Sequence, residues 1–268
     1  MSQNRFTTVF KAFIYDVRGS ISLAADARSR FRLIRDFALS RLIVLIPRAS
    51  RNCIREVRLR GDIKIRYRLN KGDLHAIREI WFQESYRLPF ADPAGILLDL
   101  GANIGMTSVW LAKKYPLASV IAVEPDPRNA ALARQNLELN GIAGYVIEAA
   151  IGPQDGTSLF AFSEHSVMGR LSESGASVPV MSVATIIKRF AVNRFALAKI
   201  DIEGGEQPLF DGPSDWLNQT DAIVIEFHPE LVDYARLTRL VSSHGFTYIP
   251  ANSAFRDNAD CFVRPKNK

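Results

Sequence analysis

Cysteine is nearly absent from this chain: Cys53 and Cys261 are the two in 268 residues. Thiols so few and so far apart give no disulfide framework, and reduced cysteines suit the cytoplasmic setting expected here. Long apolar runs are missing as well. The longest candidate, Leu42 to Ile46, is hemmed in by Arg41 and Arg48, well short of the roughly 20 residues that span a bilayer. The opening Met1 to Gly19 carries Lys11, Asp16 and Arg18 where a secretory signal needs an apolar core, so no targeting segment is expected. No Gly-x-x-x-x-Gly-Lys-Ser/Thr loop is present to cradle a nucleoside triphosphate. Internal repeats and low-complexity linkers do not occur.

What the chain does have is a core and a lopsided charge. With 47% hydrophobic residues it can bury one full domain of about 170 to 200 residues, leaving the rest as an N-terminal extension over residues 1–92. Residues 1–60 hold 13 Lys or Arg against 4 Asp or Glu, whereas the remainder is slightly acidic. Within that basic stretch Phe31, Ile34, Phe37, Leu42 and Leu45 recur near helical spacing, interleaved with Arg28, Arg30, Arg32 and Arg35. Such a helix either packs its apolar stripe on the rest of the protein with solvated arginines, or lies on a membrane surface or anionic partner. Nucleic acid is the weakest partner, because no recognised nucleic-acid module accompanies the arginines. Val57 to Leu69 alternates apolar and basic residues around Gly61-Asp62 and predicts a hairpin. Asp73 to Tyr86 predicts a helix that closes one side of a pocket, and Asp92-Pro93-Ala94-Gly95 punctuates the entry to the next domain, residues 93–268.

There the most informative stretch begins. Ile96-Leu-Leu-Asp-Leu-Gly-Ala-Asn-Ile-Gly105 reads as a central strand turning at Gly101 and Gly105 into a helix starting near Ile104. A second apolar strand ends in Glu124-Pro125, where a carboxylate can accept both ribose hydroxyls of a nucleoside lying across the strand tips. The spacing of a dinucleotide site is lacking, since Gly101 is followed by Asn103 and Met106 where further glycines would let backbone approach a pyrophosphate. A nucleoside with a positive, amino-acid-bearing tail fits better: Asp99 and the open Gly101 turn can receive the ammonium and carboxylate of S-adenosylmethionine.

Asp99-Leu-Gly-Ala-Asn-Ile-Gly105, Glu124-Pro-Asp-Pro127, Asn136-Leu-Glu-Leu-Asn140, Lys199-Ile-Asp-Ile-Glu-Gly-Gly-Glu206 and Glu226-Phe-His228 resemble, in this order, the motifs of the FkbM-type methyltransferases. The resemblance runs roughly from Ile80 to Phe262, and its specific part is the segment from Asp201 to Glu206. It implies S-adenosylmethionine as cofactor and methylation mostly on oxygen, of sugars, glycolipids or secondary metabolites. One departure stands out. Where the family commonly has an acid at the start of the helix after Val178 to Met181, this chain has Val183-Ala184-Thr185.

Alternating strands and helices after Ile96 predict a seven-stranded, Rossmann-like class I methyltransferase sheet in an α/β fold. The strands expected are Ile96 to Leu100, Ser119 to Val123, Tyr145 to Ala149, Ala196 to Ile202, Ala222 to Phe227, Phe246 to Ile249 and Asp260 to Arg264. Between Gly152 and Pro179 the pattern breaks into a short edge strand, Leu159 to Phe162, and a polar segment from Ser163 to Ser177, a candidate substrate loop.

Ligands in such sheets bind beyond the carboxyl ends of the strands, so scattered residues should converge there. Cofactor contacts are expected from Asp99, Gly101, Asn103, Gly105, Glu124, Pro125, Ala150 and Asp201, with the adenine near Ala149 to Ile151. Asp201 either orients the cofactor or serves as the acceptor's base. Glu203 and Glu206 follow in the turn leaving the strand. Glu226 and His228 flank the next strand tip, and a neutral His228 is the preferred general base. Asp201, Glu203, Glu226 and His228 form an oxygen-rich set that suits magnesium, but spacing fixes no geometry and no metal is assigned. The absence of an Asn/Asp-Pro-Pro-Tyr/Phe signature disfavours methylation of nucleic-acid amines, leaving a small-molecule or glycan hydroxyl as the expected acceptor. The alternative is a non-catalytic protein of the same fold, recruited to a membrane surface or partner through its basic N-terminus.

Overall fold

A computed structural model describes residues 2–42, 52–161, 170–171, 175–228, 230–249 and 259–265. They form two compact units, Met1–Glu84 and Ser85–Lys268.

The first unit has helices α1 (Ser2–Leu23) and α2 (Ala27–Ser40), a hairpin of β1 (Ile54–Leu59) and β2 (Ile63–Arg68), then α3 (Lys71–Ile77) running into a π-helical turn at Arg78–Phe82. The expected hairpin is present, with Gly61 and Asp62 taking positive φ at its turn. The basic helix is present too, but its buried face is not the predicted stripe. Leu33 and Phe37 point inward with Ser29 and Asp36, while Phe31 is 68% exposed and Leu42 54%; Leu45 lies outside the described residues. Polar Ser29 and Asp36 can face inward because the hairpin supplies their partners: Arg58 N donates to Ser29 Oγ (2.9 Å), and the Tyr67 hydroxyl to Asp36 Oδ2 (2.9 Å). A reading that counts only apolar residues misses that face.

Many of the arginines are structural. Asp16, Asp36 and Asp73 have no exposed side-chain surface, and each is gripped by arginine: Asp16 by Arg41 and Arg78, Asp36 by Arg35 and Arg55, Asp73 by Arg68. An Asp36→Ala variant leaves the Tyr67 hydroxyl buried without that acceptor. It is expected to cost about 2 kcal/mol of this unit's stability, read as a lower urea midpoint; an unchanged midpoint contradicts the assignment. Among the described residues, no helix is long and apolar enough to cross a membrane.

The second unit carries a seven-stranded mixed sheet, ordered β12-β13-β11-β10-β3-β4-β5. Its strands are β3 (Gly95–Leu100), β4 (Leu117–Val123), β5 (Gly144–Ile147), β10 (Phe195–Ile200), β11 (Ala222–Ile225), β12 (Thr247–Ile249) and β13 (Asp260–Val263). All seven fall on predicted segments. β10, β11 and most of β3 are buried throughout, as strands covered on both faces should be. The central strands β5, β4, β3, β10 and β11 are parallel, and only the pairings of β13 are antiparallel. From β3 the chain adds β4 and β5 on one side, then β10 and β11 on the other. The order therefore reverses between β3 and β10, which opens a crevice at their carboxyl ends. Helices α4 (Met106–Lys114), α5 (Pro127–Leu139), α6 (Val183–Phe190), α7 (Glu206–Asp211) and α8 (Tyr234–Ser243) complete the unit.

Between β5 and α6 the expected edge strand and the strand ending at Met181 are present, as parts of a second sheet. β6 (Ala150–Ile151), β9 (Ala176–Met181), β7 (Gly156–Ala161) and β8 (Arg170–Leu171) pair in the order β6-β9-β7-β8. Most of the candidate substrate loop, residues 162–169 and 172–174, lies outside the described residues. The acid that the sequence lacks at the start of α6 comes from a distance. Asp155 accepts hydrogen bonds from the N and Oγ of Ser182 (2.7 and 2.9 Å) and from Thr185 Oγ1 (2.6 Å), so a carboxylate still sits at this helix N-terminus.

Candidate active site

The turn after β3 is shaped by what cannot fit there. Gly101 has φ +77°, and a Cβ on it would fall 1.8 Å from the carbonyl oxygen of Asp201. The N–H groups of Gly101 and Ala102 both donate to Val123 O (3.0 Å each), tying the turn to the end of β4. Asn103 takes φ +49°, a left-handed conformation that asparagine tolerates better than most residues. Gly105, at φ +76°, caps α4; a Cβ there would lie 3.0 Å from Ala133 Cα on α5. The helix begins at Met106, two residues later than expected, because Gly105 is still in the turn.

Glu124 closes this turn from the β4 side. Its Oε2 accepts from Asn103 N (2.8 Å) and its Oε1 from Asp126 N (2.9 Å), while Pro125 follows half-buried. Burial is the largest influence on this carboxyl and pushes it up to about 7, against the hydrogen bonds from Asp126 and Asn103. Beyond these and a longer bond from Asn129 Nδ2 (3.4 Å) Glu124 retains acceptor capacity, and among the described residues Asn103 Oδ1 is buried without a hydrogen-bond partner. A carboxylate with spare lone pairs beside an unsatisfied amide oxygen, in a turn that excludes a Cβ, fits a nucleoside that brings hydroxyl donors. Ala150, expected near the adenine, is 4% exposed in β6.

Asp99 is placed differently from the expectation. It has no exposed surface; Ser108 Oγ donates to its Oδ2 (2.5 Å) and Lys199 Nζ lies 3.2 Å from its Oδ1. The carboxylate thus sits beneath the crevice and holds Lys199, rather than reaching an ammonium itself. Lys199 is the residue that sequence reasoning passed over. Its Nζ donates to Gly101 O (2.7 Å) and stands 3.7 Å from Asp201 Oδ2. Burial works against its charge, but Asp99 and Asp201 together outweigh it and hold the ammonium above its ordinary value. A lysine on the inner face of a buried strand gives no apolar signal, yet its position before Asp201 placed it within the motif.

A second group of polar side chains lies at the tips of β10 and β11. Tyr86, another residue not anticipated, hydrogen-bonds through its hydroxyl to Asp201 Oδ2 (3.1 Å) and Glu226 Oε2 (3.2 Å). His228 Nδ1 lies 3.0 Å from Glu206 Oε1, and its Nε2 lies 3.4 Å from Glu203 Oε2. Glu203 reaches this position from a backbone at φ +52°, followed by Gly204 at φ +89°; the left-handed pair turns the chain back toward His228. The structure therefore brings Asp201, Glu203, Glu206, Glu226 and His228 near one another, with the Tyr86 hydroxyl among them.

The electrostatics bear on the base expected at His228. His228 is pushed up to about 9, chiefly by its hydrogen bond to Glu206, which outweighs burial and is helped by the charges of Glu206, Glu203 and Asp201. These carboxylates favour its protonated form over the neutral base expected from its place at a strand tip. Burial, then repulsion from Asp201, raises both Glu203 and Glu226 to about 7.

A seven-stranded, mostly parallel sheet whose order reverses between β3 and β10, with a glycine turn at that switch point, is the fold of a class I S-adenosylmethionine-dependent methyltransferase. The model of the methyltransferase FkbM domain matches residues 99–248, more than half of the chain, and the chain belongs to that family. It is 26% identical over 198 residues to methyltransferase 1 of Beauveria bassiana, covering 63% of this chain and 79% of that protein. It is 23% identical over 221 residues to the 31-O-demethyl-FK506 methyltransferase FkbM of Streptomyces tacrolimicus, covering 68% and 85%. With the hexuronic acid methyltransferase AglP of Haloferax volcanii it shares 24% over 183 residues, covering 63% and 74%. The crystal structure of methyltransferase FkbM from Methylobacillus flagellatus is similar at a TM-score of 0.49 and 15% identity, covering 96% of this chain and 60% of that one.

Proposed function

We propose that this methyltransferase acts on oxygen, methylating a hydroxyl of a sugar, glycolipid or secondary metabolite. The observation that carries the proposal is the cluster of Asp201, Glu203, Glu226, His228 and Tyr86 at adjacent strand tips, a polar site suited to binding a hydroxyl and taking its proton. Support also comes from the names of two relatives, one acting on 31-O-demethyl-FK506 and one on a hexuronic acid.

When bound, S-adenosylmethionine supplies a methyl carbon on a positive sulfur, which leaves as a neutral thioether. The chain's part is alignment and proton transfer. Glu124 and the Gly101 to Asn103 turn would hold the nucleoside, with Ala150 near the adenine, while Lys199 fixes the Gly101 carbonyl and lies beside Asp201. His228 is occupied at both ring nitrogens by Glu206 and Glu203. Glu226, whose partner among the described residues is the Tyr86 hydroxyl, is the carboxylate left to accept the acceptor's proton. Glu226 would take up the proton that the acceptor hydroxyl gives up.

The test is turnover of methyl-labelled S-adenosylmethionine against a panel of hydroxylated sugars, glycolipids and secondary metabolites, with amine-bearing analogues beside them. Label is expected in a base-stable ether. Label found only on nitrogen overturns the oxygen assignment.

A further inference from the structure

One oxygen each from Asp201 and Glu203 and one ring nitrogen of His228 lie within 4.8 Å of one another, and all three side chains retain partial exposure. We propose that these residues form a divalent-cation site, taking magnesium or manganese through the two carboxylates and Nε2 of His228. The part assigned to the cation in catalysis rests on the oxygen-acceptor reading above.

Three features go beyond an accumulation of acids. First, the donor set is mixed: two hard carboxylates and an imidazole, a combination that manganese and other first-row divalent ions accept. Glu203 Oε2 and His228 Nε2 are 3.4 Å apart, near the about 3 Å edge of an octahedron with bonds of roughly 2.1 Å. Second, His228 is oriented as a metal-binding histidine must be. Its Nδ1 is held by Glu206 Oε1 at 3.0 Å, which leaves Nε2 turned to Glu203. A carboxylate on the far ring nitrogen fixes the ring and its tautomer and increases its basicity toward a metal. Third, Glu206 has no exposed surface, and its Oε2 is buried without a hydrogen-bond partner. Buried behind the ring, with Ile202 N and His228 Nδ1 on its Oε1, Glu206 holds the imidazole and does not compete for the ion.

The cation would enter where a proton now faces Glu203, between Nε2 and the two carboxylates. Three protein ligands leave further positions on an octahedral ion, and the acceptor hydroxyl would occupy one of them. Coordination lowers the hydroxyl's pKa and steadies the alkoxide while its proton passes to Glu226; no oxidation or further reactant is involved. An acceptor with a second oxygen next to the methylated one, such as a vicinal diol or a hydroxy acid, would chelate the ion and be favoured over an isolated alcohol.

The test uses the full chain, stripped with chelator and titrated with manganese while free manganese is counted by electron paramagnetic resonance, with magnesium as competitor. One manganese per chain is expected, weakened at least tenfold in Glu203→Gln and in His228→Asn. Glu206→Gln, which keeps all three ligands, is expected to weaken binding by about 10- to 100-fold through loss of orientation alone. Circular dichroism establishes that each variant is folded. Saturating manganese is also expected to raise the melting temperature of the wild type but not of His228→Asn. Absence of manganese binding by the folded wild type, or equal binding by all three variants, overturns the proposal. A parallel titration of the wild type with S-adenosylhomocysteine separates the two readings. Nucleoside binding without manganese binding removes the cation site and leaves the methyltransferase; manganese binding without nucleoside binding does the reverse.

Discussion

Replacing Lys199 with methionine is expected to destabilise the catalytic unit by about 3 to 5 kcal/mol, the usual consequence of removing one partner of a buried ion pair. Methionine preserves the length and apolar stem of the side chain, so the loss isolates the ammonium. Asp99 would be left without its cation at zero exposure, with Ser108 as its remaining hydrogen-bond donor among those described. The Gly101 carbonyl would lose its 2.7 Å donor at the same time. Affinity for S-adenosylhomocysteine should fall with stability, because the turn that Lys199 fixes is the nucleoside turn. The double variant Lys199→Met with Asp99→Asn removes the orphaned charge and should recover a large part of the stability without the affinity. A double-mutant cycle by urea denaturation measures that coupling; additive losses would show that the two residues act independently and contradict the pairing.

Glu124→Ala is expected to weaken S-adenosylhomocysteine binding by about 100-fold, since two hydrogen bonds to a charged acceptor contribute on the order of 3 kcal/mol together. The pH dependence identifies the cause. With Glu124 raised to about 7 in the free protein, the ionised form that accepts two hydroxyl donors prevails above that pH and is lost below it. Affinity should therefore be level at alkaline pH and fall by up to tenfold per unit as pH drops below about 7. Glu124→Gln keeps the shape and one acceptor, so it should bind with intermediate affinity and without this slope. A wild-type affinity that does not change between pH 8 and pH 5.5 contradicts the role given to Glu124.

How far the sequence speaks for itself depends on whether the signal is local. The seven sheet strands are legible because a strand covered on both faces has to be a nearly unbroken apolar run, as Phe195 to Ile200 is apart from Lys199. The glycine turn is legible because Gly101 has no alternative there. Glu124 is legible from its place one residue past a strand. Long-range contacts are not. Tyr86 meets Asp201 across 115 residues and Glu226 across 140, Asp155 completes a helix start 27 residues away, and Tyr67 turns Asp36 inward across 31. Helix α1 had no apolar periodicity assigned to it, and the four-stranded insertion depends on pairings between short, polar segments. The charge state of His228 is the clearest case. Residue type and strand position suggest a neutral base, but Glu206 and Glu203 favour the protonated form, and their distances appear only in the fold.

The central claim is that the turn from Asp99 to Gly105, closed by Glu124, holds S-adenosylmethionine. Calorimetric titration of the purified chain with S-adenosylhomocysteine, beside nicotinamide adenine dinucleotide, addresses it most directly. Saturable binding of the first at one per chain, with no heat from the second, is the predicted result; protein shown to be folded that binds neither, or that binds the dinucleotide as well, would contradict it.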